Sequence, residues 1–193
     1  VNSARVLPAH IESNFINPDY RGAQPADCLR LPPDSVDCRG ELYDQAKRDG
    51  DFCASDILDI ISDASADIAI VTLAPELPGG VELVRALVTA GPRVSLGHSG
   101  ASLDEAMAAI DAGARHATHL FNRMAPMSHR APGVAGAVLA RDEVAAELIC
   151  DGYHVHPTMG RIAIASKGVG RLMAITDSTA GSVLAVGSNT RLG

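Results

Sequence analysis

Short apolar runs separated by stretches of helical spacing constrain this chain more than any other feature. Six such runs are rich in Val, Ile, Leu and Ala: Val6–His10, Ile68–Leu73, Val94–His98, Ala114–His119, Glu147–Cys150 and Leu172–Thr176. Segments of helix length lie between the last five. Strands that alternate with helices in this way build a parallel sheet from βα units. The clearest helical signal covers 103–112. Ser102 and Glu105 form a capping box, Leu103, Met107 and Ile110 share one face, and Gly113 supplies the stop. Similar reasoning predicts a helix over Val81–Ala90, ended by Gly91-Pro92, and another over 158–167, ended by Gly168.

The stretch from Phe15 to Asp51 has a different character. Pro18, Pro25, Pro32 and Pro33 break it, and it shows little periodicity. It reads as a long loop leading to a helix within Arg39–Asp49 and a second near Ser55–Asp63. A loop of that length inside a domain is usually functional. Aromatic residues make up only 3% of the 193 positions and Trp is absent, so Ala, Val, Leu and Ile have to fill the core. Cys28, Cys38, Cys53 and Cys150 show no C-x-x-C spacing and read as reduced thiols of a cytoplasmic protein. Asp plus Glu number 23 against 16 Lys plus Arg, a balance that argues against a nucleic-acid surface. No apolar run approaches the roughly 20 residues needed to cross a bilayer, so no membrane partner is expected.

The polar residues fall at informative places. Glu12 follows the first run, His98 and His119 end the third and fourth, and Asp177 follows the last. In a parallel barrel every strand C-terminus lies on one rim, so these side chains converge on one pocket. His98 and His119 are 21 residues apart, one strand–helix–strand step, which puts them on adjacent strands. Two imidazoles with a carboxylate suit zinc or a similar divalent ion. Each residue also has a plainer reading: a satisfied polar residue at a strand end, or for Asp177 a helix cap. Four such placements together favour a site. His10, His116, His129 and His156 are assigned no role, and the odd spacing of His116 and His119 should point their side chains apart.

The segment from His119 to Val134 reads as a long βα loop on the same rim. It offers Asn122, Arg123 and Arg130 to a phosphate or carboxylate, against the alternative of ordinary surface charges. Asp151-Gly152-Tyr153-His154 supplies a further strand end with an imidazole. No Walker or dinucleotide glycine loop, no G-x-S-x-G elbow and no activated cysteine is evident.

The strings His10-Ile-Glu12, Val94-Ser-Leu-Gly-His98-Ser, Ala117-Thr-His119-Leu-Phe-Asn122, Arg130-Ala-Pro-Gly-Val, Asp151-Gly-Tyr-His154-Val and Thr176-Asp177 together resemble the N-acetylglucosamine-6-phosphate deacetylase family of the amidohydrolase superfamily. They follow the family's order from Val6 to about Gly181. The resemblance implies a metal-dependent (β/α)8 barrel of the TIM type. It implies Glu12, His98 and His119 as metal ligands, with Zn2+ the leading candidate and Fe2+ another. It also implies Asp177 as the catalytic acid/base and Asn122, Arg130 and His154 as contacts to a phosphosugar. Ala23, in the loop Arg21–Gln24, carries over as a further sugar contact, and a homodimer is the implied assembly. Two departures bear on the pocket. Ser13-Asn14 replaces the family's Gly-Pro after the first ligand, and Arg123 stands where a small residue is common.

The implied reaction is hydrolysis of the acetamide of N-acetylglucosamine 6-phosphate, or a close N-acetylhexosamine 6-phosphate, to acetate and the hexosamine 6-phosphate. Three alternatives stay open. One is an amidohydrolase acting on a cyclic amide or nucleobase, another a truncated non-catalytic barrel, and the third a metal-free phosphosugar isomerase. A (β/α)8 barrel takes about 250 residues. By the family pattern the six runs match the third to eighth strands. Residues 1–193 are therefore expected to be a partial barrel, with the first strands and the small β-domain missing.

Overall fold

The computed structural model describes residues 5–33 and 52–188. Six parallel strands form one curled sheet in sequence order: β1 (Ala9–Ile11), β2 (Ile68–Leu73), β3 (Arg93–Leu96), β4 (His116–Ala117), β5 (Ala145–Ile149) and β6 (Leu172–Ile175). The helices are α1 (Ala54–Asp63), α2 (Gly80–Ala90), α3 (Leu103–Asp111), α4 (Gly133–Ala140) and α5 (Pro157–Lys167). The expected alternation of strand and helix is therefore present. The helix expected within Arg39–Asp49 lies outside the described residues, as does Cys38. No helix among the described residues is long and apolar enough to cross a membrane.

Local chemistry accounts for most boundaries. The Ser102 hydroxyl accepts from the Glu105 amide while the Glu105 carboxylate accepts from the Ser102 amide, which closes the capping box that starts α3. Gly91, at φ 118°, ends α2 in a conformation that a side chain rarely tolerates. The rim strands are shorter than the apolar runs suggest. β3 stops at Leu96 and β4 at Ala117, two residues short of histidines at which the chain turns left-handed. Helix α4 begins at Gly133, inside the segment read as loop, and its apolar sequence carries no helical stripe.

Strand register divides the sheet into two chemically distinct faces. Thr72 pairs with Ser95, Ser95 with His116, and Glu147 with Met173, so these residues share the concave face. Alternate residues, Val71, Val94, Leu96, Ala117 and Ala146, turn outward. They pack with Ile57, Leu83, Leu87, Ile110, Val134 and Val138 of the surrounding helices in the main core. That core is built from small and branched aliphatics, with Phe15 its buried aromatic among the described residues.

Candidate metal centre

Three chain segments deliver donors to one point on the rim. Glu12 lies one residue beyond β1, His98 two beyond β3 and His119 two beyond β4. Glu12 Oε1 is 2.8 Å from His98 Nε2 and 2.9 Å from His119 Nε2. The two nitrogens are 3.0 Å apart. Among the described residues this is the group of His, Cys, Asp or Glu with ligand atoms close enough to hold an ion. Both imidazoles are buried, while the Glu12 side chain keeps 24% exposure and leaves one side open.

Backbone strain aims these side chains. His98 has φ 49° and His119 φ 29°, left-handed values that residues with a Cβ seldom adopt. Asp177 shares this feature at φ 51°. Strand alternation alone would send His119 to the outer face; the left-handed turn brings it back to His98. His116 keeps its place in the strand and bonds Ser95 Oγ at 2.9 Å, deeper in the concavity.

The donor chemistry fits a cation. His98 Nδ1 is 2.8 Å from the Tyr20 carbonyl, which can only accept, so Nδ1 carries a proton and, in the neutral imidazole, Nε2 turns a lone pair toward Glu12. A lone pair facing a carboxylate oxygen at 2.8 Å is repulsive unless positive charge lies between or beside them. Burial opposes ionisation of Glu12, but hydrogen bonds and charge from His119 and His98 prevail and hold it at about 2. Burial likewise works against a charged His119, yet Glu12 and the nearby charge of Asp177 raise its pKa. A proton on His119 answers part of this demand; a divalent ion answers all three donors. Sets of two imidazoles and one carboxylate with an open position are typical of catalytic zinc.

Beneath the centre lies a polar ring that sequence reading left without a role. His10 Nε2 is 2.7 Å from Thr72 Oγ1, Thr72 is 2.7 Å from Thr118 Oγ1, and Thr118 is 2.6 Å from Ser95 Oγ. Ser95 leads to His116, whose Nε2 is 3.7 Å from Glu147 Oε1. That oxygen is 3.5 Å from His10 Nδ1, which closes the ring. Glu76 is a second carboxylate that the sequence reading passed over. It accepts from Asn17 Nδ2, Ser99 Oγ and the Gly100 amide, tying the loops after β1 and β3 together beside His98. One signal was available for Glu147: a charge inside the otherwise apolar Ala145–Cys150.

The remaining candidate residues take varied positions. Asn122 is half-buried and its Nδ2 donates to the His119 carbonyl at 3.2 Å. Arg123, at φ 50°, is exposed and lies over the Gly22 backbone, where a Cβ would come within 2.7 Å of its Nε. Arg123 thus meets the loop that carries Ala23, itself exposed. His154 donates from Nδ1 to Asp151 at 2.7 Å and lines a cavity with Phe121, Ala125, Val155 and Met159. Arg130 is exposed on the same loop, and Asp177 is exposed past β6. Asn14, in the Ser13-Asn14 departure, adopts φ 72° and donates to the Cys28 carbonyl.

No protein-family model matches the chain. It is similar to the N-acetylglucosamine-6-phosphate deacetylase of Bacillus subtilis (strain 168), with 39% identity over 175 residues covering 91% of this chain and 39% of the relative. The Rattus norvegicus enzyme of the same name is 36% identical over 197 residues, covering 98% and 43%. Among solved structures, an N-acetyl-D-glucosamine-6-phosphate deacetylase mutant from Mycobacterium smegmatis, in complex with N-acetyl-D-glucosamine-6-phosphate, superposes with a TM-score of 0.75 at 32% identity, covering 90% of this chain and 40% of that one. The Thermotoga maritima deacetylase gives 0.76 at 29% identity, covering 95% and 44%. The chain spans about two fifths of the length of the curated relatives it matches.

Proposed function

We propose, from its homology over most of its length to the N-acetylglucosamine-6-phosphate deacetylases, that this chain carries the metal centre of a hydrolase that removes acetate from an N-acetylhexosamine 6-phosphate. One observation carries the reading beyond similarity. In neutral His98 the proton sits on Nδ1 facing the Tyr20 carbonyl, which leaves Nε2 as a ligand atom pointed at Glu12 and His119. Glu12, His98 and His119 would hold the ion, and their two nitrogens and one oxygen suit Zn2+. When bound, the ion supplies Lewis acidity toward the acetyl carbonyl and lowers the pKa of water.

The protein's own groups do the rest. Asp177 lies close enough for its charge to act on His119, and its exposed carboxylate is free to take a proton from the attacking water. The same carboxylate then returns that proton to the leaving amine as the C–N bond breaks, acting first as base and then as acid. Asn122, whose Nδ2 is pinned on the His119 carbonyl, is held beside the centre as a sugar contact in this reading. Arg130, Arg123 and His154 are the phosphosugar contacts in this reading, and Ala23 lies on the loop against which Arg123 packs. Binding energy from the distant phosphate would hold the amide over the centre. Cyclic amides and nucleobases give Arg130 nothing to bind, which ranks them lower.

The test compares acetate release from N-acetylglucosamine 6-phosphate and from unphosphorylated N-acetylglucosamine. Turnover is expected only with the phosphate ester. Asp177→Asn should keep the bound metal and lose turnover by about 100-fold or more, within the roughly 10²- to 10⁴-fold range of general acid–base catalysis. Equal rates on the two sugars, or a wild-type rate in Asp177→Asn, would refute the reading.

A further inference from the structure

Glu147 is an unusual residue for its place. It sits in β5, is 7% exposed, and belongs to none of the groups assigned above to metal or sugar. Both amides that flank the His119 side chain end on it. The His119 N–H donates to Glu147 Oε2 at 3.3 Å, and the Leu120 N–H donates to the Glu147 carbonyl at 2.9 Å. These bonds bracket the residue that departs furthest from strand geometry to reach the centre, at φ 29°. The turn has local bonds of its own on the carbonyl side, from the Asn122 N–H and Nδ2 to the His119 carbonyl at 2.9 and 3.2 Å, whereas its N–H groups end on Glu147. β4 is only two residues long and ends at Ala117; beyond it the Thr118 N–H still donates to the Leu96 carbonyl, and the next contacts to a neighbouring strand are those to Glu147.

Two imidazoles back the carboxylate. Its Oε1 faces His10 Nδ1 and His116 Nε2 at 3.5 and 3.7 Å, and the Thr72–Thr118–Ser95 hydroxyl chain joins those two imidazoles. Residues of four other strands or strand ends, β1 to β4, thus back this one side chain. A left-handed non-glycine residue costs of order 1–3 kcal/mol and persists only where its surroundings over-determine it. Side chains behind a metal ligand typically set its orientation, and their loss costs metal affinity.

We propose that Glu147 is a positioning residue of the centre: it holds the His119 backbone in its left-handed turn through the carboxylate–amide bond and so aims His119 Nε2 at the ion. This rests on the metal reading of Glu12, His98 and His119. Geometry, rather than charge, is what the side chain contributes. Glutamine can accept the same bond at the same reach, whereas aspartate keeps the charge but is one methylene too short.

Two near-isosteric variants separate the roles: Glu147→Gln and Glu147→Asp. Cobalt(II) affinity of the full chain, measured by competition with a chromophoric chelator, is read beside the cobalt d–d absorption spectrum. Glu147→Gln should bind within about threefold of wild type with an unchanged spectrum. Glu147→Asp should bind roughly 10- to 100-fold more weakly, with shifted bands. Wild-type affinity and spectrum in Glu147→Asp would overturn the proposal, since a charge role predicts that Asp rescues and Gln does not; equal losses in both variants would overturn it too, since the glutamine oxygen keeps the bond to the His119 amide. A wild-type chain that binds no cobalt overturns the metal reading and this proposal with it. Cobalt bound alike by all three chains overturns the positioning role alone.

Discussion

His116 shows how one buried side chain sets a pH response. Burial holds its pKa down at about 4, against 6.5 when free, with Glu147 partly countering and His10 adding to the depression. Between those values the unfolded chain takes up a proton that the folded chain refuses. The stability His116 contributes is therefore complete above pH 6.5 and declines as pH falls toward 4, by at most about 1.4 kcal/mol per pH unit. Urea titrations at about pH 7 and pH 5 should show the loss, and His116→Gln should flatten it. An unchanged slope in that variant would assign the acid sensitivity elsewhere. The same residue marks what a sequence can reveal at this scale. Glu12, His98, His119 and Asp177 stood out because a parallel topology gathers strand ends on one rim. His10, His116 and Glu147 did not, because their significance lies in partners 21 to 137 residues away along the chain. The left-handed φ of His98 and His119 is likewise invisible in composition; tertiary hydrogen bonds impose it.

Helices α3 and α4 stand at opposite ends of what local chemistry can specify. The start of α3 is written in four residues, Ser102 to Glu105, and the capping box forms as the spacing predicts. Helix α4, by contrast, is apolar on every side and is finished by another element. Lys167 Nζ of α5 donates to the Val138 carbonyl at 2.9 Å and also to Arg141, while Ser166 Oγ donates to Leu139 at 2.9 Å. Two C-terminal carbonyls of α4 are thus satisfied from α5, and no residue of α4 announces its end. Lys167→Met keeps the aliphatic stem and removes the donor. It should cost about 1–3 kcal/mol in urea unfolding, since buried carbonyls are left without a partner. Metal affinity should stay at the wild-type value, because α4 and α5 lie behind the sheet. A variant as stable as wild type would show that water replaces the ammonium at no cost.

Over the whole molecule, the candidate centre links segments that no local structure connects. Glu12 is 86 residues from His98 and 107 from His119, and the sheet that brings them together must be complete from β1 to β4 before the three donors meet. A site that exists only in the folded state binds its ion only there, so ion binding becomes folding free energy. At a free Zn2+ concentration about 100-fold above Kd, the folded state gains about 2.7 kcal/mol. For a chain of this size each kcal/mol moves the melting midpoint by roughly 2–4 °C, so zinc should raise Tm by about 5–11 °C and a chelator should reverse it. His119→Ala removes one of three donors and should abolish most of that rise, whatever its own baseline Tm. The comparison to make is therefore the zinc-dependent shift within each chain, not the absolute Tm between chains. Were the shift to survive in a His98→Ala/His119→Ala double variant, zinc would be acting elsewhere on the molecule. Loss of the shift in both variants would tie the zinc-dependent stability to the two imidazoles at the ends of β3 and β4.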